Sequence, residues 1–183
     1  QALGTMLAGS DVENHLGVAV AELFEAAQGA LDDLLALAAL LADAGDAAAL
    51  AQAGLDDRVD VVSAGTSGWH VGHPADNRAR TELLAHGYSD HHVAAHLGPQ
   101  HYDADLVLAM DSEHVRMLER KRQLRDRVRL LRSFDPAAGP HTDVPDPYYG
   151  TQADFAQTRV LIESAVPGIL DWVRVRLGET VVS

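Results

Sequence analysis

Cysteine is absent from all 183 residues of the sequence. Its absence excludes disulfide bonds, thiolate metal sites and thiol nucleophiles within these residues. Any covalent catalysis by this chain would therefore need a nucleophile of another kind.

Long apolar runs are also missing. A membrane-spanning helix needs about 18 or more consecutive apolar residues, and Asp32 and Asp33 interrupt the Ala/Leu-rich stretch at residues 30–41. No basic segment precedes an apolar one in the manner of a secretory signal. We therefore expect a soluble cytoplasmic protein.

Positive charge is scarce and unevenly distributed. The net charge is −13, which argues against nucleic acid or an anionic membrane as a partner. Residues 1–57 contain ten acidic residues and no Lys or Arg, which leaves a net charge of −3 for residues 58–183. The two parts of the chain therefore differ in electrostatic character.

Chain length and composition predict one globular domain over residues 1–183. Residues 10–13 have the spacing of a helix capping box, and the apolar spacing that follows favours helix over residues 10–44. The alternation of Val18 and Val20 would also fit a strand. We predict an atypical acidic helical segment at residues 1–44, with a more ordinary α/β region at residues 45–183.

From Arg58 onward the pattern is α/β. Strands are predicted at residues 59–63, 105–110 and 128–131. Helices are predicted at residues 76–85, ending at Gly87, at 113–125 with Asp111 as cap, and from residue 154, with Pro167 kinking or breaking the last one. This order predicts a small parallel sheet with helices on both faces.

A stiff loop at residues 143–150 carries chemically useful groups. Pro145 and Pro147 fix the backbone and remove two donors, so this segment suits neither a helix interior nor a central strand. It presents the carboxylate of Asp146 and the phenol rings of Tyr148 and Tyr149. An ordinary Pro-Asp turn with half-buried tyrosines is the simpler interpretation of this loop taken alone.

This loop resembles the general-acid loop of the low-molecular-weight protein tyrosine phosphatases, whose hallmark is Asp-Pro-Tyr-Tyr-Gly. Further matching blocks precede it in the order and spacing of that family, so that the resemblance covers roughly residues 55–177. The blocks are SAGTSGWHVG at 63–72, DNRA at 76–79, HGY at 86–88, LVLAMD at 106–111 and LLRSFDP at 130–136.

The resemblance implies hydrolysis of phosphotyrosine or aryl phosphate monoesters, with a phosphotyrosine protein or a small aryl phosphate as partner. Asp146 matches the general acid. Trp69, Tyr148 and Tyr149 match substrate-binding positions. Ser63 and His92 match a hydrogen-bond network beneath the phosphate loop, while Asp111 would face the cleft or simply cap its helix.

One part of the family pattern has no counterpart. Members of the family attack phosphorus with a cysteine in a Cys-x5-Arg-Ser/Thr loop that follows a central strand near the N-terminus. Here that strand would have to be improvised, for instance at residues 16–23, or its place filled by helix. We predict a catalytically impaired or inactive family member, and give less weight to a working enzyme that uses Asp32, Asp33 or Ser10 as a substitute nucleophile.

Two further alternatives concern the acidic N-terminal part. Its helices could bind a protein partner, making this a non-catalytic interaction protein. Alternatively, a wrong start or a frameshift upstream of about residue 45 could have replaced the family's usual N-terminus. No cofactor is expected, and no metal either, because the histidine cluster has no recognised ligand spacing; its members are His86, His91, His92 and His96.

Overall fold

A four-stranded parallel sheet forms the centre of the molecule. The computed structural model describes residues 16–22, 50, 53–55, 57–65, 74–90 and 95–180. The strands are β1 (Leu16–Glu22), β2 (Val59–Gly65), β3 (Leu106–Ala109) and β4 (Val128–Leu130), in the order β2-β1-β3-β4. All three neighbouring pairs are parallel. The predicted α/β class is confirmed, as are the three strands expected after Arg58.

The helix predicted across residues 10–44 is wrong at Leu16–Glu22, which is strand β1. This strand lies between β2 and β3, with Val18 opposite both Val61 and Leu106. Hydrogen bonding on both sides outweighs a local spacing that also fits a helix, and the alternating valines suit a strand. The alternative of a central strand near residues 16–23 is therefore confirmed, and the rest of the predicted segment lies outside the described residues.

Gly17 links the start of β1 to the turn that leads into β3 by two hydrogen bonds. Its N–H donates to Asp105 Oδ2 at 3.0 Å, and the N–H of Asp105 donates to the Gly17 carbonyl at 2.7 Å. A Cβ on Gly17 would lie 3.4 Å from the Cα of Ala104. That separation is an ordinary van der Waals contact, so the two hydrogen bonds, not a requirement for glycine, fix the point at which the two central strands begin.

Three α-helices lie wholly within the described residues: α1 (Asn77–Ala85), α2 (Ser112–Leu118) and α3 (Gln152–Arg176). The predicted caps Asp76 and Asp111 each accept hydrogen bonds from the first turn of their helices. Gly87 follows α1 at φ +80°, a conformation that suits glycine. Helix α2 ends at Leu118 rather than near residue 125, and α3 continues through Pro167 without the break that proline suggested.

β3 is buried on both faces of the sheet, because its alternate residues enter different cores. Leu106 and Leu108 belong to the core beneath α1 and α3, while Val107 and Ala109 belong to the core that includes Leu118 of α2. All four β3 residues are at most 1% exposed. A strand that is covered on both sides typically has an unbroken apolar sequence, as β3 does.

Candidate active site

The loop at residues 143–150 is fixed to the carboxyl edge of the sheet. The N–H of Val144 donates to the Met110 carbonyl at 2.8 Å, and Val144 is 3% exposed. Asp143 Oδ1 accepts hydrogen bonds from the N–H and the hydroxyl of Ser112, at 2.9 and 2.7 Å. Ligands of open α/β sheets bind at this edge, so the loop holds its carboxylate and phenols where a site is expected.

The predicted general acid, Asp146, lies in this loop with its carboxyl oriented by the backbone. Its Oδ1 accepts from the N–H of Tyr148 at 2.9 Å, which closes an Asx turn. Although Asp146 is exposed to solvent, the surrounding chain removes part of the water around the carboxyl. This desolvation raises the pKa of Asp146; the negative charge of Asp111 adds to the effect, while the Tyr148 N–H and His114 oppose it.

Asp111 differs electrostatically from Asp146. Its Oδ1 accepts from the N–H groups of Glu113 and His114, both at 2.8 Å, and its Oδ2 lies 2.9 Å from Nδ1 of the buried His114. Desolvation opposes ionisation, but these hydrogen bonds prevail and lower the pKa of Asp111. Two neighbouring carboxyls with pKa values shifted in opposite directions suit an acid beside a permanent anion.

The two tyrosines present aromatic surface beside Asp146. The rings of Tyr148 and Tyr149 meet edge to face, with centroids 4.8 Å apart and planes at 82°. Tyr149 is 79% exposed, whereas Tyr148 is half-buried. An aryl group could pack against such a surface.

Arg78 fastens this loop to helix α1, a role that the sequence did not reveal. Its Nη1 donates to the carbonyls of Tyr148 and Gly150, at 2.9 and 3.2 Å. Its guanidinium carbon lies 5.6 Å from the Tyr148 ring centroid and 4.8 Å from that of Phe155. The only sequence signal was its place in the 76–79 block, which we interpreted as a helix start.

The remaining predicted site residues are only partly accounted for. Ser63 is half-buried on β2, on the side of β1 away from β3. Trp69 and His92 lie outside the described residues, as do Ser10, Asp32 and Asp33. The structure therefore brings Asp146, the tyrosines and Asp111 to one edge, and the predicted network beneath the phosphate loop stays a prediction.

The position after β1 differs from the family pattern in sequence. β1 ends at Glu22, and the next seven residues, LFEAAQG, contain neither cysteine nor arginine. The first Lys or Arg after β1 is Arg58. In the described part of the chain, no three His, Cys, Asp or Glu residues are grouped to hold a metal ion, and no helix is long and apolar enough to cross a membrane.

Comparisons with solved structures show the same fold. A protein tyrosine phosphatase from Entamoeba histolytica aligns with a TM-score of 0.70 at 20% identity, covering 89% of this chain and 98% of its own. An arginine phosphatase from Geobacillus stearothermophilus aligns with a TM-score of 0.64 at 22% identity, covering 90% and 99%. At these identities the likeness concerns the fold alone.

Sequence comparisons are more specific. The low molecular weight protein-tyrosine phosphatase A of Mycobacterium tuberculosis is 52% identical over 126 residues, which are 68% of this chain and 77% of that protein. A low molecular weight protein-tyrosine-phosphatase of Streptomyces coelicolor is 44% identical over 139 residues, 73% of this chain and 85% of that protein. The sequence profile described as low molecular weight phosphotyrosine protein phosphatase matches residues 38–179. The chain belongs to the low molecular weight phosphotyrosine protein phosphatase family.

Proposed function

We propose that this protein is a catalytically impaired or inactive member of its family, one that keeps the general-acid side of the site and lacks the nucleophile. The observation that carries this proposal is the sequence after the central strand β1. Acidic residues stand at Glu22 and Glu25, and no cysteine or arginine follows within the length of a phosphate loop.

The chemistry of phosphate binding supports the proposal. A phosphate dianion is held by consecutive N–H groups at a helix N-terminus and by a bidentate arginine. The same positive field keeps a thiolate ionised. Carboxylates at this position would repel the substrate, so both binding and nucleophilic attack are impaired.

Asp146 cannot replace what is missing. General-acid catalysis contributes roughly 10² to 10⁴ in rate. The covalent nucleophile and the anion cradle supply separate parts of the rate enhancement, through a new reaction path and through charge stabilisation in the transition state. The raised pKa of Asp146 suits proton donation to a leaving group, but no step within these residues generates that leaving group.

The ligand class follows from the aromatic surface and from the relatives. Tyr148 and Tyr149 favour a flat aryl group, and the two bacterial relatives are protein-tyrosine phosphatases by name. We therefore propose phosphotyrosine proteins or aryl phosphates as the substrates of whatever activity remains.

Hydrolysis of a phenyl phosphate ester by the purified chain tests the proposal. The Mycobacterium tuberculosis relative serves as positive control, and the Asp146→Asn variant is measured alongside. We expect no turnover above buffer from this chain or its variant. Turnover that falls in Asp146→Asn would overturn the proposal, and Asp32→Asn, Asp33→Asn and Ser10→Ala would then identify the substitute nucleophile.

A further inference from the structure

Half of the positive charge of the chain is concentrated in one segment. Residues 116–129, here called the basic segment, contain seven of the 14 Lys and Arg residues and only two acidic ones, Glu119 and Asp126. The segment therefore has a net charge of +5, in a chain whose net charge is −13. All seven of its cations belong to exposed residues.

The cations of the basic segment differ from most other Lys and Arg residues in their surroundings. Within the part that the structure describes, no Asp or Glu oxygen forms an ion pair with any of the seven. Elsewhere six arginines each have a carboxylate within 4.0 Å: Arg58, Arg78, Arg80, Arg132, Arg159 and Arg174. The basic segment is thus an electropositive surface on an otherwise acidic protein.

The backbone of the basic segment is fixed by buried apolar side chains and by hydrogen bonds from one of its arginines. Leu118, Leu124 and Val128 are at most 3% exposed in the second core. Nη1 of Arg127 donates to the carbonyls of Tyr102 and Ala104, at 3.1 and 3.0 Å. A fixed backbone lowers the conformational entropy lost when a partner binds.

The segment ends beside a cavity at the amino edge of the sheet, away from Asp146. Helix α2 starts at the carboxyl edge, so the chain that leaves it and enters β4 lies at the opposite edge. There a cavity of about 330 Å³ is lined by Arg127, Arg129, Trp172 and Arg176, together with Asp105, Leu106 and Asp126. The Arg176 guanidinium carbon lies 5.4 Å from the Trp172 ring centroid.

We propose that the basic segment and this cavity form a docking site for a carboxylate-rich segment of a partner protein. Six of the seven cations are arginines, whose planar fork pairs bidentately with carboxylates. Trp172 and Arg176 give the cavity a wall on which an aromatic or aliphatic side chain of that segment could pack. The site is remote from Asp146 and does not depend on catalysis.

The surface chemistry favours an acidic protein segment over a lipid bilayer. No large hydrophobic side chain is exposed in residues 116–129, so the segment has nothing to insert into a bilayer.

Fluorescence anisotropy with a labelled decaglutamate peptide tests the proposal at low ionic strength, on the order of 10 mM salt, where screening is weak. We expect saturable binding that weakens as salt is added. The triple variant Arg116→Gln, Arg120→Gln, Arg122→Gln should bind roughly tenfold more weakly, because each exposed charge pair contributes modestly. None of these three side chains makes a hydrogen bond to a described residue, so folding should be preserved, which thermal unfolding checks.

A charge-matched control separates local docking from overall charge. The variant Thr81→Glu, Gln157→Glu, Ser164→Glu changes the net charge by the same three units at exposed positions elsewhere, and its affinity should be nearly that of the parent. Equal weakening in both variants would overturn the proposal, as would absence of saturable binding by the parent. Tighter binding to phosphatidylserine vesicles, lost in the triple arginine variant, would also overturn it and assign the surface to a membrane.

Discussion

Replacing Arg78 by alanine should loosen the loop that carries Asp146 and destabilise the whole fold. The guanidinium donates to the carbonyls of Tyr148 and Gly150 and pairs with Asp76, with Nε 3.0 Å from Oδ1. It also faces the rings of Tyr148 and Phe155. Alanine removes all these contacts at once and leaves two carbonyls without their donor.

The magnitude follows from the number and exposure of these contacts. The Arg78 side chain is 34% exposed, so each of its hydrogen bonds to a carbonyl is taken at about 1 kcal/mol, the value of an ordinary hydrogen bond and below the range for buried charged groups. The ring contacts contribute together about 1 kcal/mol, and the surface ion pair little. We expect Arg78→Ala to lower the free energy of unfolding by about 3 kcal/mol.

Urea unfolding of the parent and the variants measures this loss. Arg80→Ala is the matched control, because Arg80 lies on the same helix and pairs with Asp90 at 2.5 Å with its side chain 40% exposed. Its cost should be at most about 1 kcal/mol. Arg78→Lys keeps the positive charge but not the planar guanidinium with its several N–H donors, so it should recover less than half of the lost stability. An Arg78→Ala loss no larger than that of Arg80→Ala would refute the role assigned to Arg78.

Two further predictions concern the core and the buried charge. Val18 lies in the central strand and is 2% exposed, so Val18→Ala should lower the free energy of unfolding by about 2 kcal/mol. The control is Val62→Ala on β2, where the side chain is 41% exposed and the loss should be under about 1 kcal/mol. Equal losses in urea unfolding would contradict a central position for β1. Burial of Glu82 opposes its ionisation, but hydrogen bonds from Arg159 and Gln152 prevail and lower its pKa below the ordinary 4.5. Its stabilising contribution is therefore present above the unfolded-state pKa and is lost as pH falls through the folded-state value. Glu82→Gln should accordingly lose less stability than the parent between about pH 6 and about pH 3, and an unchanged pH dependence would contradict the assignment.

The strands after Arg58 were predictable because their patterns allow one interpretation. β3 is an unbroken apolar run at a length typical of buried strands. β1 was not predictable in this way, because Val18 and Val20 alternate as in a strand, while Leu16, Val20, Leu23 and Phe24 are spaced as a helical stripe. The secondary structure of β1 is decided by hydrogen bonding to β2 and β3, which are distant from it in sequence.

The candidate site, too, was predictable only in part. The general-acid role of Asp146 was predicted from the family resemblance of its loop, and it stays a prediction. Asp111 was predicted as a helix cap, which the structure confirms. The early end of α2 could not be predicted, since residues 119–127 are good helix formers individually. Bonds from Lys121 N–H to the Leu118 carbonyl and from Leu124 N–H to the Lys121 carbonyl instead form successive turns that bury Leu124.

The position of β1 separates the requirements of the fold from those of catalysis. The sheet needs a central strand that can pair on both sides and bury its apolar side chains, and Leu16–Glu22 meets that need. It does not need any particular sequence after that strand. The raised pKa of Asp146 arises from desolvation and from Asp111, and its loop is held by Met110, Ser112 and Arg78. The loop that carries Asp146, the proposed general acid, can therefore be kept whether or not the chain has a nucleophile, because the contacts that position it also stabilise the fold.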